Sequence, residues 1–149
     1  MRMRGLHVLL LLTALTVAGV VGAIGATSPA AAASDPVRLT FDKHQVAPGV
    51  WQGTVSGDIT GALTTKLLSL EVTGSIWQVT FDWIVEAGSS SFTARLDGTL
   101  NTTTGAVVMD GTVTEGHLLG ARVHEEGQLV DPTTLEFVGS IQIMPATAA

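Results

Sequence analysis

The sequence predicts an all-β protein, a closed antiparallel up-and-down barrel of about eight strands, and three observations carry that expectation. Short runs alternate apolar and polar residues with period two, the signature of half-buried strands. Glycine, proline and asparagine breaks separate these runs by about two to six residues, too few for the crossovers that parallel strands need. The stretch from Gly98 to Leu129 also repeats one small unit, Gly-Thr at 98 and 111 and Gly-Ala at 105 and 120. The same pairs occur upstream as Gly53-Thr54 and Gly61-Ala62. A meander of this length has two exposed edges unless its ends meet, and closure removes them. Recurrent glycines fit closure because strongly bent strands need residues without a Cβ. A two-sheet β-sandwich is the alternative arrangement.

The elements follow in order. Val37, Leu39 and Phe41 alternate with Arg38, Thr40 and Asp42, and Pro48-Gly49 marks a turn. Trp51 to Ile59 places Trp51, Gly53, Val55 and Gly57 on one face. Lys66 to Val72 is apolar enough for a helix, but Gly61, Thr64, Thr65 and Gly74 frame it as a strand. Ser75 to Glu86 is the clearest run, with Trp77, Val79, Phe81, Trp83 and Val85 on one face, and Gln78, Thr80, Asp82 and Glu86 on the other. After Gly88-Ser89-Ser90, alternation resumes through Phe92, Ala94, Leu96, Gly98 and Leu100, and Asn101 to Gly105 closes a hairpin. Val107, Met109, Gly111 and Val113 form the next strand. Leu119, Ala121, Val123 and Leu129 share the parity of the seventh, which Asp131-Pro132 ends. Leu135, Phe137, Gly139, Ile141 and Ile143 supply the eighth.

The N-terminal region stands apart from this pattern. Met1 to Arg4 is basic, Val8 to Ala26 is apolar with only Thr13 and Thr16 interrupting, and Ala31-Ala32-Ala33 follows. That order fits a secretory signal peptide over residues 1–33, cleaved before Ser34, and predicts a secreted, extracellular protein with one barrel domain over 34–149 and a core of about 37–143. An uncleaved membrane anchor is the competing reading of the same run. Removing Arg2 and Arg4 leaves five basic residues against thirteen acidic ones, a net charge of −8. So acidic a domain lacks the basic footprint that nucleic acid requires. With no cysteine, disulfides, thiolate metal sites and cysteine nucleophiles are excluded. The domain must therefore hold itself by its core and its hydrogen-bonded ladder.

Four segments suggest a family: Trp51-Gln-Gly-Thr-Val-Ser-Gly-Asp-Ile-Thr-Gly-Ala, Ile76-Trp-x-Val-x-Phe-Asp-Trp, Gly98-Thr-Leu-x4-Gly105, and Gly120-Ala-x-Val-His-Glu-Glu-Gly127. In glycine spacing and strand order, over about Val50 to Ile143, they resemble secreted bacterial domains of the allene oxide cyclase barrel type, whose barrel the plant dirigent proteins share. The resemblance implies an eight-stranded barrel with an apolar cavity for a small, mostly apolar molecule, and no metal or organic cofactor. Its plant enzymes direct cyclisation by confinement and a few polar groups, and the resemblance carries no catalytic residue onto this sequence.

Candidate residues are weighed one strand at a time. His124-Glu125-Glu126 offers an imidazole and two carboxylates, and period-two geometry puts His124 and Glu126 on one face and Glu125 on the other. Such a pair suits acid–base work if it converges in a pocket and is an ordinary solvated strand face if it does not. Asp82 and Glu86 share their face with Ile76 and Ile84. Pointing inward, they would be buried carboxylates able to act as acid, base or ligand anchor; pointing outward, they are solvated polar groups. Trp51, Trp77, Phe81 and Trp83 serve either as core filling or as the lining of a ligand cavity. Asn101-Thr102-Thr103 matches a glycosylation sequon that a tight hairpin also explains. His44 and His117 are too isolated for a metal site.

These residues leave two main functions open. One is a secreted barrel that binds an apolar small molecule or serves as an extracellular structural module. The alternative is a cofactor-free cyclase or isomerase of the allene oxide cyclase type, with Asp82, Glu86 or His124 polarising the substrate. A protein-binding module using the acidic surface is a weaker third. Once the signal is cleaved no membrane partner is expected, and no segment specifies an oligomeric interface.

Overall fold

A computed structural model describes residues 34–146, so the segment assigned to the signal peptide lies outside the described residues. Within them the chain forms eight antiparallel strands, β1 (Val37–Ala47), β2 (Val50–Gly57), β3 (Gly61–Thr73), β4 (Ile76–Glu86), β5 (Phe92–Asn101), β6 (Ala106–Gly116), β7 (Arg122–Asp131) and β8 (Glu136–Met144). Each pairs with its sequence neighbours, and β1 pairs with β8 from Val37↔Ile143 to Lys43↔Phe137. The sheet is therefore a closed up-and-down barrel, not a sandwich. Closure satisfies the outer backbone groups of β1 and β8, which would otherwise be free edges.

Alternation sets the faces. In β4, Val79, Phe81, Trp83 and Val85 are buried, while Gln78 and Glu86 are exposed and Thr80, Asp82 and Ile84 lie between those extremes. The same rule places Leu39, Phe41 and Lys43 inside on β1, and Val123 and Glu125 inside on β7. Several strand interiors carry inward-facing glycines where neighbouring backbones crowd. A Cβ built on Gly111 would lie 1.8 Å from the carbonyl oxygen of Arg95. The repeated Gly-Thr and Gly-Ala units thus mark close approaches and turns of the closed sheet.

Three local expectations are corrected. Leu119 does not share the inward parity of β7, because β7 begins only at Arg122 and Leu119 sits exposed in the preceding turn. Its neighbour Leu118, at a φ of 63°, packs against the core instead. The second strand stops at Gly57, whose φ of 126° turns the chain, although Ile59 beyond it is still buried. The third strand is longer than Lys66–Val72 and contains a register shift between Leu67 and Ser69.

The two barrel ends differ. At one end Ile59, Phe92 and Ala121 close the core. At the other, β3 outruns β2: its last β2 partner is Lys66, opposite Val50, while pairing with β4 continues to Thr73↔Ile76. The β3–β4 hairpin overhangs this end and exposes Leu68, Leu70 and Val72.

Replacing Gly111 by Val is expected to lower the unfolding free energy by about 2–4 kcal/mol, since the side chain meets backbone that cannot move without breaking the β5–β6 ladder. Gly74→Ala, with open space around its Cβ but a φ of 60°, should cost only about 1 kcal/mol. Urea titration of both variants measures the difference; equal costs would refute the steric account.

Candidate functional site

Within the overhung end lies a cavity of about 60 Å³ whose walls are almost wholly apolar: Trp51, Leu67, Leu70, Trp77, Val79, Phe81, Leu100, Val107, Met109, Leu135 and Phe137. Two ionisable side chains, Lys43 and Glu125, complete the lining. Both are almost fully buried, at 5% and 1% exposure, and Lys43 Nζ lies 3.7 Å from Glu125 Oε1. That separation is an ion-pair distance, too long for a hydrogen bond.

The strands bring this pair together by parity and closure. Lys43 continues the inward stripe of Leu39 and Phe41 on β1, and Glu125 follows Val123 on β7. Strand β8 lies between β1 and β7 in the sheet, so the side chains meet across the interior. Gly127 and Gly139 make room beside them: a Cβ on Gly139 would stand 2.9 Å from Phe41 Cε1, and one on Gly127 3.2 Å from Phe41 Cζ. The Phe41 ring seated there meets Trp83 edge to face, at 4.9 Å and 86°. Trp51 and Phe81 pack likewise at 5.3 Å and 76°, with Trp51 Nε1 donating to the carbonyl of Leu135.

Around Lys43 Nζ four aromatic rings form a cage, with centroids at 4.4 Å (Trp83), 5.2 Å (Phe41), 5.4 Å (Phe81) and 5.9 Å (Phe137). Ring quadrupoles attract a cation, by about 2 kcal/mol at a desolvated site. Burial acts the other way and is the stronger influence: it pulls the Lys43 ammonium below the usual lysine range, against the charge of Glu125. Burial likewise raises the Glu125 carboxyl, opposed by the charges of Lys43 and His124. Neither Glu125 Oε2 nor Trp83 Nε1 closes a hydrogen bond with any described residue, and Thr65 Oγ1 is buried in the same condition. The site thus holds an acid and a base perturbed in opposite directions beside an apolar cavity.

The residues singled out from sequence divide between the two faces. Trp51, Trp77 and Phe81 line the cavity, and Trp83 lies fully buried against the Lys43 ammonium. Asp82, Glu86, His124 and Glu126 are on the outer surface, away from it. Asp82 accepts two hydrogen bonds from Arg95, at 2.9 and 3.0 Å, in a bidentate pair across β4 and β5. His124 is held at both nitrogens, Nδ1 at 2.6 Å from Asp110 Oδ1 and Nε2 at 3.3 Å from Glu126 Oε1. With both nitrogens engaged by carboxylates, the imidazole has no free position from which to activate a nucleophile, and through Asp110 it ties β7 to β6. Asn101 Oδ1 accepts from the Thr103 and Thr104 amides, so the sequon forms a hairpin turn. Among the described residues no cluster of three His, Cys, Asp or Glu side chains could hold a metal ion.

Sequence reasoning did not single out Lys43, nor Glu125 as the inward member of its triplet. A signal existed: each is an ionisable residue in the apolar phase of its strand.

No family model, curated protein or solved structure matches the chain.

Two outcomes are expected here. Glu125→Gln, which strands a buried ammonium, should cost about 3–5 kcal/mol, whereas the double change Lys43→Met with Glu125→Leu should recover most of that loss. A double-mutant cycle of Lys43→Met and Glu125→Leu in urea reads the coupling, and additive losses would contradict it. The second concerns His124, whose carboxylate partners Asp110 and Glu126 raise it above the ~6.5 of a free imidazole. Its stabilisation is full below that unfolded value and is lost as pH rises through the folded one. An NMR titration should show the raised midpoint in the wild type and a fall towards ~6.5 in Asp110→Asn.

Proposed function

We propose that the chain is an exported binding protein whose barrel mouth takes a mostly apolar small molecule bearing a compact polar head. One observation carries this reading: an apolar cavity that opens at one barrel end and has an ionisable pair in its wall. Ligand sites have this composition, apolar walls with a few placed polar groups. Export is supported by the basic, apolar and Ala-x-Ala order of residues 1–33.

Size narrows the occupant. A water molecule's share of liquid volume is about 30 Å³, so the cavity of about 60 Å³ takes a head group of only a few atoms. The remainder of the ligand lies outward across Trp77 and the exposed Leu70 of the overhanging hairpin. The polar head then meets Lys43 and Glu125, and the apolar body removes Leu70 and Trp77 from water. Burying about 100 Å² of apolar surface there contributes about 2.5 kcal/mol.

A cofactor-free cyclase or isomerase of the allene oxide cyclase type is a second reading, favoured by the same pair: a base and an acid 3.7 Å apart in a water-poor wall suit proton transfer to a confined substrate. The outer residues Asp82, Glu86 and His124 have no part in it.

Binding of 1-octanol, followed through tryptophan fluorescence, tests the proposal. Wild type should saturate, and Leu70→Glu should weaken binding about tenfold or more while leaving the unfolding free energy in urea within about 0.5 kcal/mol of wild type, since Leu70 is exposed. Equal affinity in both proteins would remove the mouth as the site.

A further inference from the structure

Lysine is scarce in this protein. The chain has only Lys43 and Lys66, and one of the two is enclosed in the barrel. Solubility does not call for a lysine there, and a buried ion pair is weak evidence of stability, because a hydrophobic pair of similar volume does as well or better. Lys43 is part of the cavity wall, so a molecule entering the mouth meets its side chain. Around it stand Phe41 on its own strand, Phe81 and Trp83 from β4, Phe137 from β8 and Glu125 from β7. Glu125 is the only other ionisable group among the described buried residues. An amine placed in such surroundings is the arrangement by which lysines become carbonyl nucleophiles.

We propose that Lys43 forms an imine with an apolar aldehyde bound in the barrel mouth, with Glu125 as the proton donor for loss of water. The inference rests on the binding reading above and names its ligand class. The reactive form is the neutral pair, Lys43 as amine and Glu125 as carboxylic acid. Burial favours this form by drawing the two ionisation equilibria together. The Nζ lone pair attacks the carbonyl carbon, and one Nζ proton passes to the carbonyl oxygen to give a carbinolamine. Glu125 then protonates that hydroxyl, the carbon–oxygen bond breaks, water leaves and the nitrogen lone pair forms the C=N bond. Amine, acid and aldehyde become iminium, carboxylate and one water, with charge and atoms balanced. The product iminium sits where the ammonium sat, beside Glu125 and within the four aromatic rings. A methyl ketone is less suited, because its second carbon substituent has to share the small cavity with the carbonyl.

The test uses the full chain with octanal and sodium cyanoborohydride at pH 7, followed by peptide mapping, alongside binding of the unreactive 1-octanol. Reductive alkylation at Lys43 should exceed that at the exposed Lys66 by about tenfold or more, because binding in the mouth holds the aldehyde beside the Lys43 amine. Glu125→Gln, which loses the acid, should slow trapping at Lys43 about tenfold or more, read on protein whose circular dichroism shows it folded. Binding of 1-octanol with alkylation confined to Lys66 and the N-terminus would overturn the imine and leave the binding reading intact. Failure of 1-octanol to bind would overturn both.

Discussion

Closure of the sheet between β1 and β8 is the constraint on which the other features of this molecule depend. An eight-stranded barrel has an interior just wide enough for side chains, so every inward position competes for a small volume. Where the strands bend most, backbone carbonyls fill the space a Cβ would take, and glycine follows at positions such as Gly111. Where glycines from β7 and β8 stand side by side, the Phe41 ring occupies the vacated volume. That ring sets Trp83 on edge, and the two form part of the wall around the Lys43 ammonium. The chain of cause therefore runs from a topological requirement, through missing side chains, to the surroundings of one amine.

Two charged groups in such an interior require explanation, since removing ions from water costs several kcal/mol each. Part of the cost is offset by their mutual attraction and by the aromatic faces, and part is relieved by the shift of both groups towards their neutral forms. Hydrogen-bonding capacity is left over at Glu125 Oε2, a residue of the cavity wall, and at the fully buried Trp83 Nε1. The outer surface shows the opposite regime. There Arg95 with Asp82, and His124 with Asp110 and Glu126, form hydrogen-bonded ties in contact with water, where such ties contribute little stability but help specify register.

The fold was legible because alternation, short glycine breaks and repeated Gly-Thr and Gly-Ala units all express the same closed sheet. The β4 stripe from Trp77 to Val85 was legible almost residue by residue. The site was legible only in part. The aromatic residues were found, since large apolar side chains in phase point inward whatever their purpose. His124 and Asp82 drew notice as chemical types, yet parity on their own strands puts them outside. The decisive pair escaped because Lys43 and Glu125 come from strands that are not neighbours, near opposite ends of the domain, and converge only across the closed interior. Leu119 misled for a simpler reason: parity cannot be carried backward through a turn that contains Leu118 at positive φ.

The difference between the barrel ends has a consequence for how such a protein can change over time. Residues that hold the ring together, such as Leu39, Leu96 and Ile141, do not line the cavity, while Leu70 and Trp77 at the overhanging hairpin contribute to it and little to the densest packing. Substitutions at the rim can therefore reshape the mouth without reopening the folding problem, and substitutions deep in the ring can be selected for robustness without altering the mouth. The two traits are separable in the same short chain. A lineage built on this barrel is free to vary its mouth while its scaffold stays the same.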